Sequence, residues 1–553
     1  MEKTAVRVKD LIRVVSIIHD IDVDKYFIEV EFRNVGGELK RITLERGLTG
    51  RNALKELLRA GATIPHGSTK ELMEALGAEP DQIKRVTGYT GWHGSSFVLP
   101  DMTIGPDAKT LEYRQREAAQ QEQQVGGSLE DWRAALKLPC RASSYIMFGT
   151  ALGYAGPLLR LIGQDEGAIF FECGESSTGK SLSELGGESV IKRAVRDELL
   201  THDITERALE EAAATRNDLL LNIDELDRYS GSEAELRKHV RTSAHKLTGG
   251  GGRQRSAKAT QDASLANLHW LLNSLWSGER PLDDRFLGEA RQRGEMVRLA
   301  EIPVPRRKKC GVFDRLEGIE LSTADLAKRV EQTARTNFGH PIRAFLKCLV
   351  EDPETYKQQA QALVEKFIRK VGAQGDPWTQ RFATKFGVVY AAACITAEMK
   401  IAPWSRKHAF SCVARLYRRA LNVVATPEEA MADLLHRLAQ NATSKKRFPM
   451  LKKGKALPKE ASNAAWGFRR KTSNTPANLA IHSDKFDKLV RPRKHASQVR
   501  KLLAAGGYTL PGKEGRFVTQ IKVKGFGSSE KPYFIRIRRD RLTCRPTRDQ
   551  QSE

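Results

Sequence analysis

Between Ala168 and Ser181 the chain reads AIFFECGESSTGKS, four apolar residues followed by Gly174-x-x-x-x-Gly179-Lys180-Ser181. The apolar run is too short for a stable helix and suits a buried parallel strand. A strand that ends in this pattern and opens a helix implies an α/β core whose loop cradles phosphate. Gly174 and Gly179 let the backbone turn tightly, so that the N–H groups of the loop, Glu175, Ser176, Ser177 and Thr178 included, approach phosphate oxygens. Lys180 supplies a charge that reaches the β- and γ-phosphates, and the Ser181 hydroxyl is suited to Mg²⁺. A helix beginning near Lys180 would turn its positive end toward the same anion. The expected cofactors are ATP and Mg²⁺.

A second apolar stretch, Asp218–Glu225 (DLLLNIDE), ends in adjacent acids. Placed after such a loop, Asp224 would hold Mg²⁺ and Glu225 would polarise the attacking water, although acids after a strand also serve as plain caps. A third apolar segment, Leu268–Leu272, precedes Asn273. Asn273 is expected either as a sensor near the γ-phosphate, at the tip of a strand lying between the other two, or as a strand-end cap. Ahead of it, four glycines (Gly249–Gly252) lead to Arg253, Arg255 and Lys258. That segment reads equally as a surface loop or as a pore loop that grips phosphates.

Composition decides the class of partner. The net charge is +24, yet Ser444–Glu553 alone carries 28 Lys/Arg against 8 Asp/Glu. A nearly neutral body with a basic tail points to a polyanion, nucleic acid ahead of an anionic membrane. The most apolar stretches, Tyr145–Gly163 and Phe386–Ile395, fall short of a membrane span. The N-terminus shows no secretory signal, and the seven cysteines have no metal-ligand spacing. A cytoplasmic protein with DNA as partner and no membrane is expected.

Four domains are expected. Residues 1–110 mix strand-like and helix-like segments, among them Tyr26–Phe32, Arg51–Ala60 and a hairpin over Gly91–Pro100, and read as an accessory or oligomerisation domain. Tyr113–Val125 reads as a solvated helix or linker. Residues 128–320 form the ATPase core, with one apolar helix over Met147–Leu161 ahead of the loop strand. Residues 321–440 are helical throughout and form a lid, on which Arg381 is either a residue reaching a neighbouring nucleotide or a surface ion pair. In residues 444–553, two short helices (Asp484–Val490 and His495–Ala505) precede two strands, the pattern of a winged helix. Its DNA contacts are expected from Arg500, Lys501, Lys522 and Lys524.

Several segments together resemble the domain-of-unknown-function 927 family of AAA+-type ATPases. They are Thr90-Gly91-Trp92 with Phe97–Pro100, Ser128–Trp132, Pro157-Leu158-Leu159, Gly174–Ser181, Ala208–Asp227, Ser277-Gly278-Glu279, Val297-Arg298-Leu299 and Gly311–Asp314. Members are similar to self-loading replicative helicases of mobile elements, phages and genomic islands. The resemblance implies a hexameric ring, ATP hydrolysis between subunits and movement on DNA. Arg298 and Arg285 are the alternatives for the arginine finger, Arg285 because its DDRF context resembles minichromosome-maintenance helicases. Gly186-Gly187 departs from the family pattern and is expected to interrupt the helix after the loop. No metal-binding primase module is legible, which assigns any priming to a separate protein. The expected function is an ATP-dependent DNA helicase; the alternative is an ATP-switched DNA-binding initiator or regulator that does not unwind.

Overall fold

The structure, a computed structural model, describes residues 8–80, 83–114, 123–252, 268–282, 293–306, 310–424, 426–451, 465–469, 478–490, 495–512, 517–521, 523 and 532–542. The chain divides into two compact units, Met1–Tyr417 and Arg418–Glu553.

The first unit begins with α1 (Val8–Leu11), β1 (Ile12–Asp20), β2 (Lys25–Arg33), β3 (Leu39–Glu45), α2 (Gly50–Arg59), α3 (Thr69–Leu76), β4 (Ile83–Thr87), β5 (Gly91–His93), β6 (Ser96–Val98), β7 (Thr103–Ile104) and β8 (Leu111–Tyr113). Strands β3-β2-β1-β4-β8 make one sheet and β5-β6-β7 a second. Alternation in β2 buries Ile28, Val30 and Phe32 on one face, where they meet Ala53 and Leu57 of α2 and Leu72 of α3. The strand, helix and hairpin expected in this region are all present.

Next come α4 (Leu129–Ala142), α5 (Ser144–Leu152), α6 (Ala155–Leu161), β9 (Ile169–Cys173), α7 (Lys180–Ile191), α8 (Glu206–Ala214), β10 (Leu220–Ile223), α9 (Glu233–Gly249), β11 (Asn273–Gly278), α10 (Arg293–Arg298) and β12 (Leu299–Pro303). The four strands are parallel, in the order β10-β11-β9-β12. Helices α8 and α9 cover one face through Leu209, Leu236, Val240 and Leu247. The helical segment that follows is α11 (Thr323–Thr336), α12 (His340–Glu351), α13 (Pro353–Val371), α14 (Pro377–Glu398) and α15 (Arg406–Val424). Phe386 of α14 meets Phe170 of β9 at 5.1 Å and Phe148 of α5 at 5.8 Å between ring centroids. Through Phe386, α14 therefore joins the core on the sheet's other face.

Three local expectations are corrected. The apolar stretch before the loop is two helices, because the Pro157 ring would clash with a helical carbonyl one turn back and is tolerated only in the first turn of α6. The Gly186-Gly187 pair does not interrupt α7, which runs unbroken through it. There the glycines serve contact: a Cβ at Gly186 would lie 2.6 Å from Thr150 Oγ1, and one at Gly187 2.8 Å from the Gly149 carbonyl. Close helix crossing outweighs the glycine's helix cost of about 1 kcal/mol. Finally, the third core strand is Asn273–Gly278 and not Leu268–Leu272. Its Ser274 is satisfied internally: Oγ donates to the Leu221 carbonyl at 2.7 Å and accepts from Trp276 Nε1 at 2.8 Å.

The second unit contains α16 (Pro427–Asn441), β13 (Gly467–Arg469), β14 (Asn478–His482), α17 (Ser483–Leu489), α18 (Ala496–Ala505), β15 (Thr519–Gln520) and β16 (Tyr533–Arg538). Its antiparallel sheet has the order β13-β14-β16-β15. Leu434 and Leu438 of α16 pack with Ile481, Phe486, Val499, Leu503, Ile535 and Ile537, so α16 belongs to this core and not to the preceding helical segment. Both expected short helices and the strand pair at 519–538 are present.

Glu172 of β9 is 1 % exposed, and neither of its carboxylate oxygens has a hydrogen-bond partner. Burial pushes this carboxyl up to about 8, against the smaller opposing influences of Ser183 and Lys180. A raised acid contributes stability below its unfolded value near 4.5 and loses it as pH rises toward the folded value. Denaturant titrations should therefore show the full chain losing stability from about pH 5 to about pH 8, and Glu172→Gln should flatten that slope. A second expectation concerns Gly149 of α5, where a Cβ would lie 2.3 Å from the Ser183 carbonyl oxygen of α7. Gly149→Ala should destabilise the unit by about 1–3 kcal/mol in the same titration.

Candidate nucleotide site

All four parallel strands end at one edge of the sheet, and the loop at the end of β9 opens there. Gly174 N–H donates to the Gly278 carbonyl at 3.1 Å, anchoring the loop to the tip of β11. Ser177 has φ +58° and Gly179 φ +91°, the turn needed to start α7 at Lys180. A Cβ at Gly179 would meet Val312 at 2.8 Å, and one at Gly174 would meet Val304 at 2.9 Å. Val304 and Val312 thus brace the loop from outside, with Val312 N–H donating to the Thr178 carbonyl at 2.9 Å. Within the loop, Thr178 Oγ1 donates to the Glu175 carbonyl at 2.9 Å, and Arg306 pairs with Glu175 at 3.5 Å. Lys180 Nζ donates to the carbonyls of Gly174 (2.7 Å) and Glu175 (3.0 Å). Its ammonium is held over the mouth of the loop, where an incoming anion would compete for it. Ser176 and Ser177 are exposed on the rim.

Across the sheet, Asp224 and Glu225 follow β10. Ser181 Oγ lies 3.4 Å from each Asp224 oxygen. Ser277, near the tip of β11, joins the two acids: its hydroxyl donates to Asp224 Oδ1 at 2.5 Å and accepts from the Glu225 N–H at 2.9 Å. Glu225 has φ +54°, a conformation uncommon outside glycine, asparagine and aspartate, and its carboxylate meets Arg228 at 2.9 Å. Glu184 of α7 is 1 % exposed beside this group; burial, then the Asp224 charge, raises its carboxyl well above the ordinary range.

Hydroxyl and carboxylate oxygens suit a hard cation, and Ser181 with Asp224 are the residues that would hold one. Among the described residues no group of three or more His, Cys, Asp or Glu forms a metal cage. A site offering only one or two protein ligands fits Mg²⁺ that keeps waters and phosphate oxygens in its shell.

The structure moves Asn273 away from this edge. Asn273 opens β11 opposite Leu220, and its Oδ1 accepts from the Ala168 N–H at 3.0 Å, at the far end of the sheet. It is not at a strand tip, because β11 begins where the sequence expected it to end; the polar residue near the tip is Ser277. Arg298 also lies at the far end, 3.8 Å from Glu166 just ahead of β9. Arg381 and Lys385 meet the same carboxylate, at 2.5 Å and 3.2 Å. The length of β9, about 16 Å, separates this cluster from the loop. Arg285, Arg253, Arg255, Lys258, Lys522 and Lys524 lie outside the described residues, as does most of the expected linker. Arg500 is not on an open face: it is ion-paired with Asp487 and lies over the Phe486 ring at 5.5 Å. Lys501 is exposed on α18.

Sequence reasoning gave no role to Ser277, Glu172 or Glu184. Ser277 lay within the recognisable Ser277-Gly278-Glu279 segment but depended on strand register; the two glutamates carry no motif. Asp218 was read only as the start of an apolar stretch. Fully buried, it accepts from Arg160 Nε at 3.0 Å and from the Trp92 N–H at 2.9 Å, fastening β5 to the start of β10.

Among described helices none is long and apolar enough to cross a membrane. No curated protein matches the chain in sequence. Among solved structures it is similar to "SCCmec type IV Cch - active helicase", with TM-score 0.57 and 16% identity, over 96% of this chain and 93% of that chain. At that identity the likeness shows the fold. A second structure, "The A form apo structure of NrS-1 C terminal region-CTR", aligns over 74% of this chain and 91% of that chain at 13% identity. Its TM-score of 0.28 is too low to bear on the fold. The family described as "Domain of unknown function (DUF927)" matches the chain from its first strand through the glycine loop and both acids. The match spans residues 1–262.

Proposed function

We propose that the protein is an ATP-dependent DNA helicase or translocase of a mobile element, phage or genomic island, working as a hexamer. The observation that carries this reading is the meeting of Lys180, Ser181, Asp224 and Glu225 at one sheet edge, with Ser277 bonded to both acids. In this reading the loop and Ser181 are Walker A, and Asp224 with Glu225 are Walker B. Lys180 exchanges its loop carbonyls for the β- and γ-phosphates; Ser181 and Asp224 would hold Mg²⁺, which would supply charge neutralisation on those phosphates. Glu225 accepts a proton from the attacking water. Ser277 fixes the spacing between the metal ligand and the base.

The remaining parts follow from position. Arg298 and Arg381 stand at the opposite end of the sheet from their own loop, so an arginine finger from either would act on a neighbouring copy. The similarity to a solved structure named an active helicase supports the motor reading. The second unit supports DNA binding through its composition and its order of helix, strands, two helices and two strands, with β14 beside β16, which fits a winged helix. Priming would belong to a separate protein.

ATP hydrolysis and strand displacement by the full chain test the proposal together. Lys180→Ala and Glu225→Gln should each lower hydrolysis by about a hundredfold or more and abolish unwinding. ATP-dependent DNA binding without unwinding in the wild type would instead describe an initiator or regulator. Ser277→Ala should lower kcat by roughly tenfold to a hundredfold with little change in KM, because it loosens the acids and leaves the loop intact. Asn273→Ala, at the far end, should not reproduce that kcat-selective effect.

A further inference from the structure

None of the groups proposed for catalysis lies in the strap Gly311–Arg315, yet it touches the glycine loop directly. Val312 N–H donates to the Thr178 carbonyl at 2.9 Å, and Gly311, at φ +55°, passes so close that a Cβ there would stand 2.4 Å from the same oxygen. Thr178 immediately precedes Gly179, Lys180 and Ser181. On its other side the strap is fastened to the junction of α4 and α5. Ser143 Oγ, fully buried, accepts from the Ile146 N–H at 3.0 Å and donates to the Val312 carbonyl at 2.7 Å. Arg315 N–H donates to the Ala142 carbonyl at 3.0 Å, and the Asp314 carboxylate accepts from the Ser144 N–H at 2.9 Å.

Ser144 is the first residue of α5, so its N–H has no partner within the helix. A carboxylate there satisfies that donor and meets the positive end of the helix dipole. Further along, α5 crosses α7 at Gly149, where a Cβ would lie 2.3 Å from the Ser183 carbonyl oxygen. Strap and α5 therefore form a bracket whose one arm holds Thr178 and whose other arm holds Ser183. Between those points lie Gly179, Lys180 and Ser181, which in the proposed function meet the phosphates and the cation. The Asp314 side chain, 2 % exposed, joins the arms. From α15, Ser411 Oγ accepts from Arg315 Nη1 at 3.0 Å and Arg415 lies 3.8 Å from Asp314, so the bracket is backed from behind.

We propose that Asp314 is a positioning residue for nucleotide binding: by tying the strap to the first turn of α5, it holds Thr178–Ser183 in the shape that receives the phosphates. This rests on the reading of the glycine loop as an ATP site. Asp314 touches no substrate and acts through the Thr178 carbonyl and the α5–α7 crossing. The grip it sets is felt in ground state and transition state alike, so its loss falls on nucleotide affinity and spares turnover. Ser277, which spaces the two acids, is the opposite case.

Fluorescence binding of N-methylanthraniloyl-ATP with Mg²⁺, and steady-state ATP hydrolysis, test it on the full chain. Asp314→Ala should weaken binding and raise KM by about tenfold, with kcat at saturation within roughly threefold of wild type. Asp314→Asn, whose amide oxygen still accepts from the Ser144 N–H, should recover most of that loss. Ser143→Ala, which frees the Val312 carbonyl from the α5 junction, should raise KM by about threefold or more, and it carries the test if Asp314→Ala gives no cooperative melt. Leu236→Ala in α9, a truncation in the core of the sheet's opposite face, lowers stability without touching the bracket and should leave KM within about twofold. Wild-type KM in Asp314→Ala, or in Ser143→Ala where it stands in, overturns the assignment. So does an equal rise in Leu236→Ala, or an Asp314→Asn variant no better than alanine. A wild type that binds no nucleotide overturns the ATP reading itself, which separates the two failures.

Discussion

The hydrogen-bonded ladder of β10-β11-β9-β12 is the constraint on which the rest depends. Its register sets Ile223 beside Trp276 and Trp276 beside Phe171, so β9 and β11 finish level at Cys173 and Gly278 while β10 stops two residues short, where Asp224 and Glu225 follow. Without that alignment the Ser277 hydroxyl could not reach Asp224 and the Glu225 N–H together, nor could Gly174 bond to Gly278. The glycine loop supplies anion-binding groups, but the ladder supplies the distances between them. Buried parallel strands tolerate little slippage, since a shift of one residue would exchange their two covered faces.

Much of this arrangement was legible in the sequence because it is local. The glycine spacing fixes a turn, the four apolar residues before it fix a strand, and the periodicity of residues 323–424 fixes helices. What escaped depended on neighbours distant in sequence. An apolar run suggested a strand at Leu268–Leu272, whereas the ladder selected Asn273–Gly278, whose serines find partners in adjacent strands. That shift moved Asn273 from the tip to the base and put Ser277 in its place. Gly186 and Gly187 looked like helix breakers because their purpose, the close approach of α5, is invisible until α5 is packed. Arg500 looked available for DNA until Asp487 was placed beside it.

The buried acids show a further division of labour. Glu172 and Glu184 lie beneath the loop with their charge strongly disfavoured, whereas Asp224 and Glu225 stand at the more open edge. Burial raises both buried carboxyls, and the Asp224 charge adds to the effect on Glu184. At the other end of the same strands, Glu166 collects Arg298, Arg381 and Lys385. The sheet thus separates an acidic, loop-bearing edge from a basic one.

The joint at Gly91 leaves little latitude. With φ +100° and a prospective Cβ only 2.4 Å from Asp218 Oδ2, this position admits a hydrogen atom and nothing larger. Thr90 and Trp92 on either side are bonded to the same stretch, Asn217–Asp218, so two segments far apart in the chain form a matched pair. Such a pair is inherited or lost as a whole: a genetic exchange that imported a foreign leading domain would have to import its counterpart as well. This fit sets where recombination can cut without leaving an orphaned charge inside the protein.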